Sequence, residues 1–371
     1  MGANSSQSLA RQASAVEPPE LQTDRPYPRL WMPKQVLFTP AALDQPWGQQ
    51  ILERVDRLAL PIKILSKNRI TGLRGDTVGD TYRNAKQTLA VVVAPPGQLK
   101  LGPIPPSADW QFHLAQGCPA HCQYCYLAGS LQGPPVIRAY ANLPEILDNL
   151  QHYSSSHRHT SFEVSCYTDP LGIEHLTGSL AQCIRHFGTQ ESAHLRWVSK
   201  FDHVEALIDL PHNGHTRCRF SVNAKSVSQF LEGGTATIAQ RLRALRELAL
   251  PPSRGGGGYP VGLVIAPIIP IDQWQQEYGA LFNHIEQALD FDCDLTFELI
   301  SHRFTPGSKA ILEQWYPNSR LSLAEEGRSI KRNKFGGIKY LYDSSTIQSL
   351  KAFFESEIAH RFPRARLLYW T

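Results

Sequence analysis

The 371-residue chain contains no run of about 18 apolar residues, so no segment is long enough to cross a bilayer as a helix. Its first thirty residues, MGANSSQSLARQASAVEPPELQTDRPYPRL, lack the apolar stretch of a secretory signal. Strong charge of one sign is missing too. The 37 basic and 33 acidic residues leave a net +4, too mild to imply a polyanionic partner by itself. A nucleic-acid site would have to come from local clustering. Cysteines are few and odd in number, seven, and a chain this large without a signal has no need of disulfides. These absences give the expectation of a cytoplasmic protein with reduced thiols and no membrane association. Hydrophobic residues at 42% against charged ones at 19% allow a sizeable core.

At about 100–200 residues per domain the length fits two domains or one long α/β barrel. Residues 1–34, rich in Ser, Ala, Gln and Pro, read as a disordered tail. Gly2 and Ser6 match the short myristoylation pattern, but an unstructured tail is the simpler reading. Residues 35–105 form an N-terminal α/β extension packed on the core, with a helix over Trp47–Ala59 and a strand over Leu89–Val93. A rhythm then begins. Short apolar runs recur at Gln111–Ala115, Ser161–Cys166, Leu195–Lys200, Arg217–Asn223, Val261–Ile268 and Leu295–Ile300, with helical stretches between them. Strands alternating with helices imply a parallel sheet. Six such units over 106–320 predict a partial (βα)6 barrel of TIM-like form, and 321–371 is left as a C-terminal β-hairpin and helix.

In such barrels chemistry sits at the carboxyl ends of the strands. Cys118 follows the first strand, Cys166 closes the second and Lys200 the third; Ser221 and Asn223 close the fourth, and Ala266 the fifth. The segment GCPAHCQYCY places Cys118, Cys122 and Cys125 in a C-x3-C-x2-C pattern. Thiolates are the natural ligands of iron–sulfur clusters, and a four-iron cluster ordinarily takes four. No fourth cysteine is near, because Cys166 lies on another strand. Three ligands on one loop leave an iron free to chelate the amino and carboxylate groups of S-adenosylmethionine (SAM). The pattern therefore points to a 4Fe-4S cluster, SAM, and a barrel of the radical SAM type. Structural zinc with His121 as a fourth ligand is the competing reading. Against it, His121 directly precedes Cys122, and no second C-x2-C pair follows.

At this point the chain resembles the spore photoproduct lyase family. The likeness runs from Tyr82-Arg83-Asn84-Ala85-Lys86 to the C-terminus, through CPAHCQYCYL, FEVSCYTDPLGIEHL, VSKFDHV, GHTRCRFSVNA, VIAPI, LTFELISHRFT and KYLY. The resemblance implies repair of an ultraviolet-induced thymine dimer in DNA through a 5′-deoxyadenosyl radical. It implies a hydrogen-donating cysteine at Cys166 with Tyr126 beside it, and SAM contacts at Tyr124, Thr168, Lys200, Ser221 and Ala266, with Asn223 close by. A flavodoxin or ferredoxin would supply the electron. From position alone, Cys166 also reads as a small buried hydrophobe, Lys200 as a surface lysine and Tyr124 as a core aromatic. Cys183 shares a helical face with Leu180, Ile184 and Phe187, and Cys218 alternates with Phe220 and Val222, so both read as core. Across that strand Arg217, Arg219, Ser221 and Asn223 suggest a wet or ligand-lined interior. Glu298 and His302 could orient substrate or make structural hydrogen bonds.

The strongest basic patch is Arg328–Tyr342, whose turn residues fit a hairpin. Lys331, Arg332, Lys334 and Lys339 could meet DNA phosphates, and Phe335 could wedge where a base is pushed out. A solvated basic hairpin is the plain alternative. The family carries an arginine–tyrosine pair where this chain has Lys334-Phe335, which keeps charge and aromaticity but loses the guanidinium fork and the phenol. Three functions follow: a SAM-dependent lyase repairing DNA carrying a thymine dimer, a radical SAM enzyme with another nucleic-acid or small-molecule substrate, or a non-catalytic zinc-bearing nucleic-acid-binding protein.

Overall fold

The computed structural model describes residues 30–131, 133–155, 158–332 and 337–371. The tail through residue 29, and Lys334 with Phe335, lie outside the described residues. All six expected strands form and lie side by side in chain order: Ala108–Phe112, Thr160–Val164, Ala193–Ser199, Thr216–Val222, Val261–Ile268 and Leu295–Ser301. Each pairs in parallel with the next. Two further strands extend the sheet. Arg366–Trp370 adds in parallel beyond Leu295–Ser301, and Gly102–Ile104 adds antiparallel to Ala108–Phe112. The first barrel strand starts and stops earlier than its apolar run suggested, because Ala115–Gln116 turns away into another sheet.

That second sheet runs Ile62–Ile64, Gln35–Phe38, Thr88–Val92, Ile137–Tyr140 and Ala115–Gln116. Two of its strands come from sequence beyond residue 106, while Gly102–Ile104 from the N-terminal stretch joins the barrel. The two regions are laced together, and one hydrophobic cluster draws on both. Between the barrel strands stand helices such as Ser179–Gly188, Ile238–Ala249 and Trp274–Ala288. Ile238–Ala249 starts on a reciprocal Thr237–Gln240 capping box and buries Leu242, Leu245 and Leu248 against the sheet. Of the helical stretches expected between the strands, the one between Ala193–Ser199 and Thr216–Val222 makes only a 3-10 turn at Glu205–Leu207. Among the described residues no helix is long and apolar enough to cross a membrane.

The sheet's two faces follow the period-two pattern of its strands. On Thr216–Val222, Cys218, Phe220 and Val222 are wholly buried, and Cys183 joins the same core. The opposite face points into the barrel and carries charge. Arg219 Nη1 stands 2.6 Å from Glu298 Oε2, and its other amino group pairs with Glu163. Arg196 pairs with Glu298 as well. Tyr369 donates to Glu298 at 2.5 Å, and Ser107 donates to Glu163 at 2.8 Å. Gly262 makes room for this cage: a Cβ there would lie 2.6 Å from Thr296 Oγ1 and 3.0 Å from Arg219 Cγ. Barrel interiors are usually filled by branched aliphatics; here two guanidiniums and two carboxylates form the floor below the strand ends.

Candidate active site

The three-cysteine loop begins at Gly117, whose φ of +82° is a left-handed conformation. A Cβ at that position would stand 2.3 Å from the carbonyl oxygen of Val136, so a side chain is excluded twice over. Beyond it His121–Cys122 pairs antiparallel with Glu232–Gly233. The Gln123 amide donates to Leu231 O at 2.8 Å and the Cys125 amide to Cys122 O at 3.2 Å. Buried Lys86, 5% exposed, donates its ammonium to the carbonyls of Cys118 and Ala120.

All three thiols are free, with Cys122 buried and Cys118 and Cys125 half-buried. Burial pushes Cys118 up to about 12 and raises Cys125 as well, while the Lys86 charge pulls both back. Cys118 feels the charge of Cys125, and Cys122 that of both. A cation placed among them would reverse the burial penalty and hold them as thiolates. In type, spacing and surroundings the set fits an iron–sulfur cluster, although among the described residues no three metal-ligating side chains already converge as a finished site. His121, the fourth ligand of the zinc reading, faces the Tyr82 hydroxyl with Nδ1 at 3.0 Å.

Beside the loop a polar hub gathers four of the residues expected to contact SAM. The Lys200 ammonium lies 2.6 Å from Ser221 Oγ, 3.2 Å from Glu232 Oε1 and 3.3 Å from Ala266 O, and 5.6 Å from the Tyr124 ring centroid. The Tyr124 hydroxyl donates to Glu232. Glu232 also pairs with Arg241 at 2.6 Å, and both side chains are completely buried. Burial alone would raise the Glu232 carboxyl; the Arg241 and Lys200 charges outweigh it and hold the group at about 2. Nothing in the sequence marked Glu232 or Arg241. An acid in a Leu-Glu-Gly-Gly turn has no spacing to announce it; the one clue is a capped helix carrying an arginine a few residues later.

Cys166 sits on a turn after Thr160–Val164. Ser165, just before it, has φ +62°, a strained conformation for a residue with a Cβ. The turn closes through Thr168 N to Ser165 O at 3.1 Å. Cys166 is half-buried, and burial raises its thiol well above the usual range, so it keeps its proton. The hydroxyl of Tyr126, a side chain 61% exposed, donates to the Cys166 carbonyl. Thr168 Oγ1, two residues further on, is buried without a hydrogen-bond partner. The His113 ring packs on Tyr167 at 4.6 Å, and burial lowers its pKa to about 4, which keeps it neutral.

Not every expected residue joins this group. Asn223 is fully buried and committed to the fold: it donates to Pro267 O at 2.8 Å and accepts from Tyr278 at 2.7 Å and the Ala224 amide at 3.0 Å. Glu298 belongs to the barrel floor. His302, 2% exposed, lies at the strand end, with its ring toward Phe304 and Tyr342. The hairpin forms as Arg328–Arg332 against Ile338–Tyr342 and carries Lys331, Arg332 and Lys339.

An incomplete α/β barrel with its thiol loop where the strands end is the plan of a radical SAM enzyme. Comparison with known proteins narrows that class. The chain belongs to the spore photoproduct lyase family, whose model matches residues 31–371. A spore photoproduct lyase of a Geobacillus species is 41% identical over 346 residues, spanning 92% of this chain and 99% of that protein. The Bacillus subtilis enzyme is 38% identical over the same share of each chain. Among solved structures, spore photoproduct lyase complexed with dinucleoside spore photoproduct superposes with a TM-score of 0.86 at 38% identity, covering 92% of this chain and 100% of that one. A double mutant with bound AdoMet and dinucleoside spore photoproduct gives the same values.

Proposed function

We propose that this chain is a SAM-dependent lyase that cleaves the spore photoproduct, a thymine dimer that ultraviolet light forms in DNA. The observation that carries the reading is Cys166, a protonated thiol on a strained turn, tied to the three-cysteine loop by the Tyr126 hydroxyl. Family membership supports it, as do AdoMet and dinucleoside spore photoproduct in the related structures.

Cys118, Cys122 and Cys125 would hold the 4Fe-4S cluster. A cluster held there would supply one-electron reducing power, drawn from a flavodoxin or ferredoxin, for cleavage of SAM to a 5′-deoxyadenosyl radical. Lys200 meets the SAM carboxylate as a point charge, and Glu232 holds its ammonium at the pocket. Tyr124 offers a ring face, and Thr168 offers its unpartnered hydroxyl. Cys166 keeps its hydrogen until the dimer has lost one and its cross-link has opened; it then returns a hydrogen atom to the thymine, and the thiyl radical this leaves is reset by an electron from the external donor and a proton. Tyr126 fixes the Cys166 backbone. Lys331, Arg332 and Lys339 on the hairpin contact the DNA.

The test is anaerobic reconstitution with iron and sulfide, followed by SAM, a reductant and an oligonucleotide carrying one defined spore photoproduct. Release of a normal thymine pair is expected, with 5′-deoxyadenosine as co-product. SAM cleavage without thymine release would move the chain to another substrate, and purified material holding zinc and no iron would end the radical reading.

A further inference from the structure

The barrel rim and the hairpin are joined where the strand Leu295–Ser301 ends. Phe304 and Tyr340 exchange backbone hydrogen bonds at 3.2 and 2.8 Å, and their rings stack 5.2 Å apart. The Arg328 guanidinium lies 3.9 Å from the Tyr342 ring centroid and 5.5 Å from that of Phe304. This clamp sets Arg303, an exposed residue just past the strand end, against the hairpin. Between them is a cavity of about 100 Å³ lined by Arg303, Lys331, Arg332, Lys339 and Leu341.

Four cations therefore face one cavity. Lys331 and Lys339 stand directly opposite each other across the ladder, an arrangement that costs a hairpin stability unless something neutralises it. Among the described residues none of the four has a carboxylate partner. Some exposed arginines elsewhere do find one: Arg364 pairs with Asp292 and Arg366 with Asp294. The four unpaired charges meet at this one cavity, beside the end of Leu295–Ser301.

We infer that the cavity seats a backbone phosphate of the DNA strand flanking the lesion, outside the pocket that takes the dimer itself. This rests on the DNA-repair reading above and adds Arg303, which the sequence did not mark. The guanidinium fork of Arg303 suits two phosphate oxygens at once, and the lysines act as point charges around it. A neutral or cationic ligand would leave the like charges opposed; the anionic phosphodiester satisfies them. The seat gives grip without reading sequence.

The test is binding of a lesion-free single-stranded oligonucleotide, followed by fluorescence anisotropy across a salt series. Arg303→Gln and Lys339→Gln are each expected to weaken binding several-fold at low salt. Each should also lower the slope of log Kd against log salt by up to about 0.7, the share of one phosphate contact on a single strand. Arg303→Lys should keep the slope. Unchanged slopes in both glutamine variants would overturn the seat, as would displacement of the oligonucleotide by inorganic phosphate at equal ionic strength, which would assign the cavity to the free ion. The repair assay judges the parent reading separately. Wild-type protein that shows these slopes but releases no thymine keeps the seat and loses the lesion; wild-type protein that repairs DNA while the variants leave the slope alone keeps the reaction and loses the seat.

Discussion

The hydroxyl of Tyr126 donates to the carbonyl oxygen of Cys166, a residue 40 positions further along the chain. One bond thus joins the thiol loop to the turn after the second barrel strand, the two segments to which the proposed chemistry is assigned. The contact is to backbone, so it positions the cysteine and leaves its sulfur free.

Separating those two tasks gives the first prediction. Cys166→Ala should still cleave SAM reductively but give trapped or aberrant dimer products, because the opened thymine has lost its hydrogen source. Tyr126→Phe removes one hydrogen bond, worth about 1 kcal/mol, from a side chain that is 61% exposed. It should fold normally and shift the product mixture only in part. Product analysis by chromatography and mass spectrometry reads both; clean normal repair by Cys166→Ala would remove the donor role.

Glu232 gives a pH signature. Its carboxyl is held at about 2 against an ordinary 4.5, so the folded chain prefers the charged form and gains from it. By the linkage between pKa and stability the gain is about 3 kcal/mol. It is fully present above the ordinary carboxyl range and drains away as pH falls from about 4.5 toward 2. Glu232→Gln should therefore be less stable than wild type at neutral pH, with the gap closing in acid. Urea unfolding of the metal-free proteins at a series of pH values measures it; a gap that stays constant with pH would mean that the charge is not what Glu232 contributes.

What was legible in the sequence follows from how local each signal is. The six βα units were readable because each strand is a short apolar run followed by a helix. Arg366–Trp370, the seventh parallel strand, was not, because no helix follows it to continue the rhythm. Ile137–Tyr140 was missed for a similar reason, as it pairs with Thr88–Val92 of a different sheet. Cys118, Cys122 and Cys125 announce themselves by spacing, and Lys200 and Cys166 by lying at strand ends. Glu232 and Arg303 depend on tertiary neighbours: one gains meaning from Arg241 and Lys200, the other from a hairpin folded against it. Asn223, also a strand-end polar residue, has its hydrogen bonds to Pro267, Ala224 and Tyr278, partners that its position in the strand did not announce.

The barrel floor supports a third prediction. Arg219 bridges Glu163 and Glu298, with every side chain of the three at most 5% exposed. Arg219→Met would leave two buried carboxylates with Arg196 as their remaining cation. Breaking a buried pair from one side costs about 3–5 kcal/mol, so the variant should lose that much in denaturant unfolding. Replacing Glu163, Arg219 and Glu298 together by apolar residues should cost much less than the sum of the single changes. Additive losses would show that the three do not act as one unit.

Lys86 is the sharpest test of the cluster site, because it can be read without turnover. Its ammonium is buried, donates to the carbonyls of Cys118 and Ala120, and has no carboxylate partner among the described residues. A lone buried ammonium is costly, so its retention favours negative charge nearby, and the three cysteines would supply it as thiolates once a metal is bound. Lys86→Met keeps the length and volume of the side chain while removing the charge and both hydrogen bonds. It should fold, since the apolar stem packs as before, yet retain several-fold less iron and sulfide per chain after reconstitution. Lys86→Arg should recover part of the loss. Metal analysis and the spectrum of the reduced protein report the result before any substrate is added. Full iron loading in Lys86→Met would show that the lysine only braces the loop and that its charge has no part in holding the thiolates.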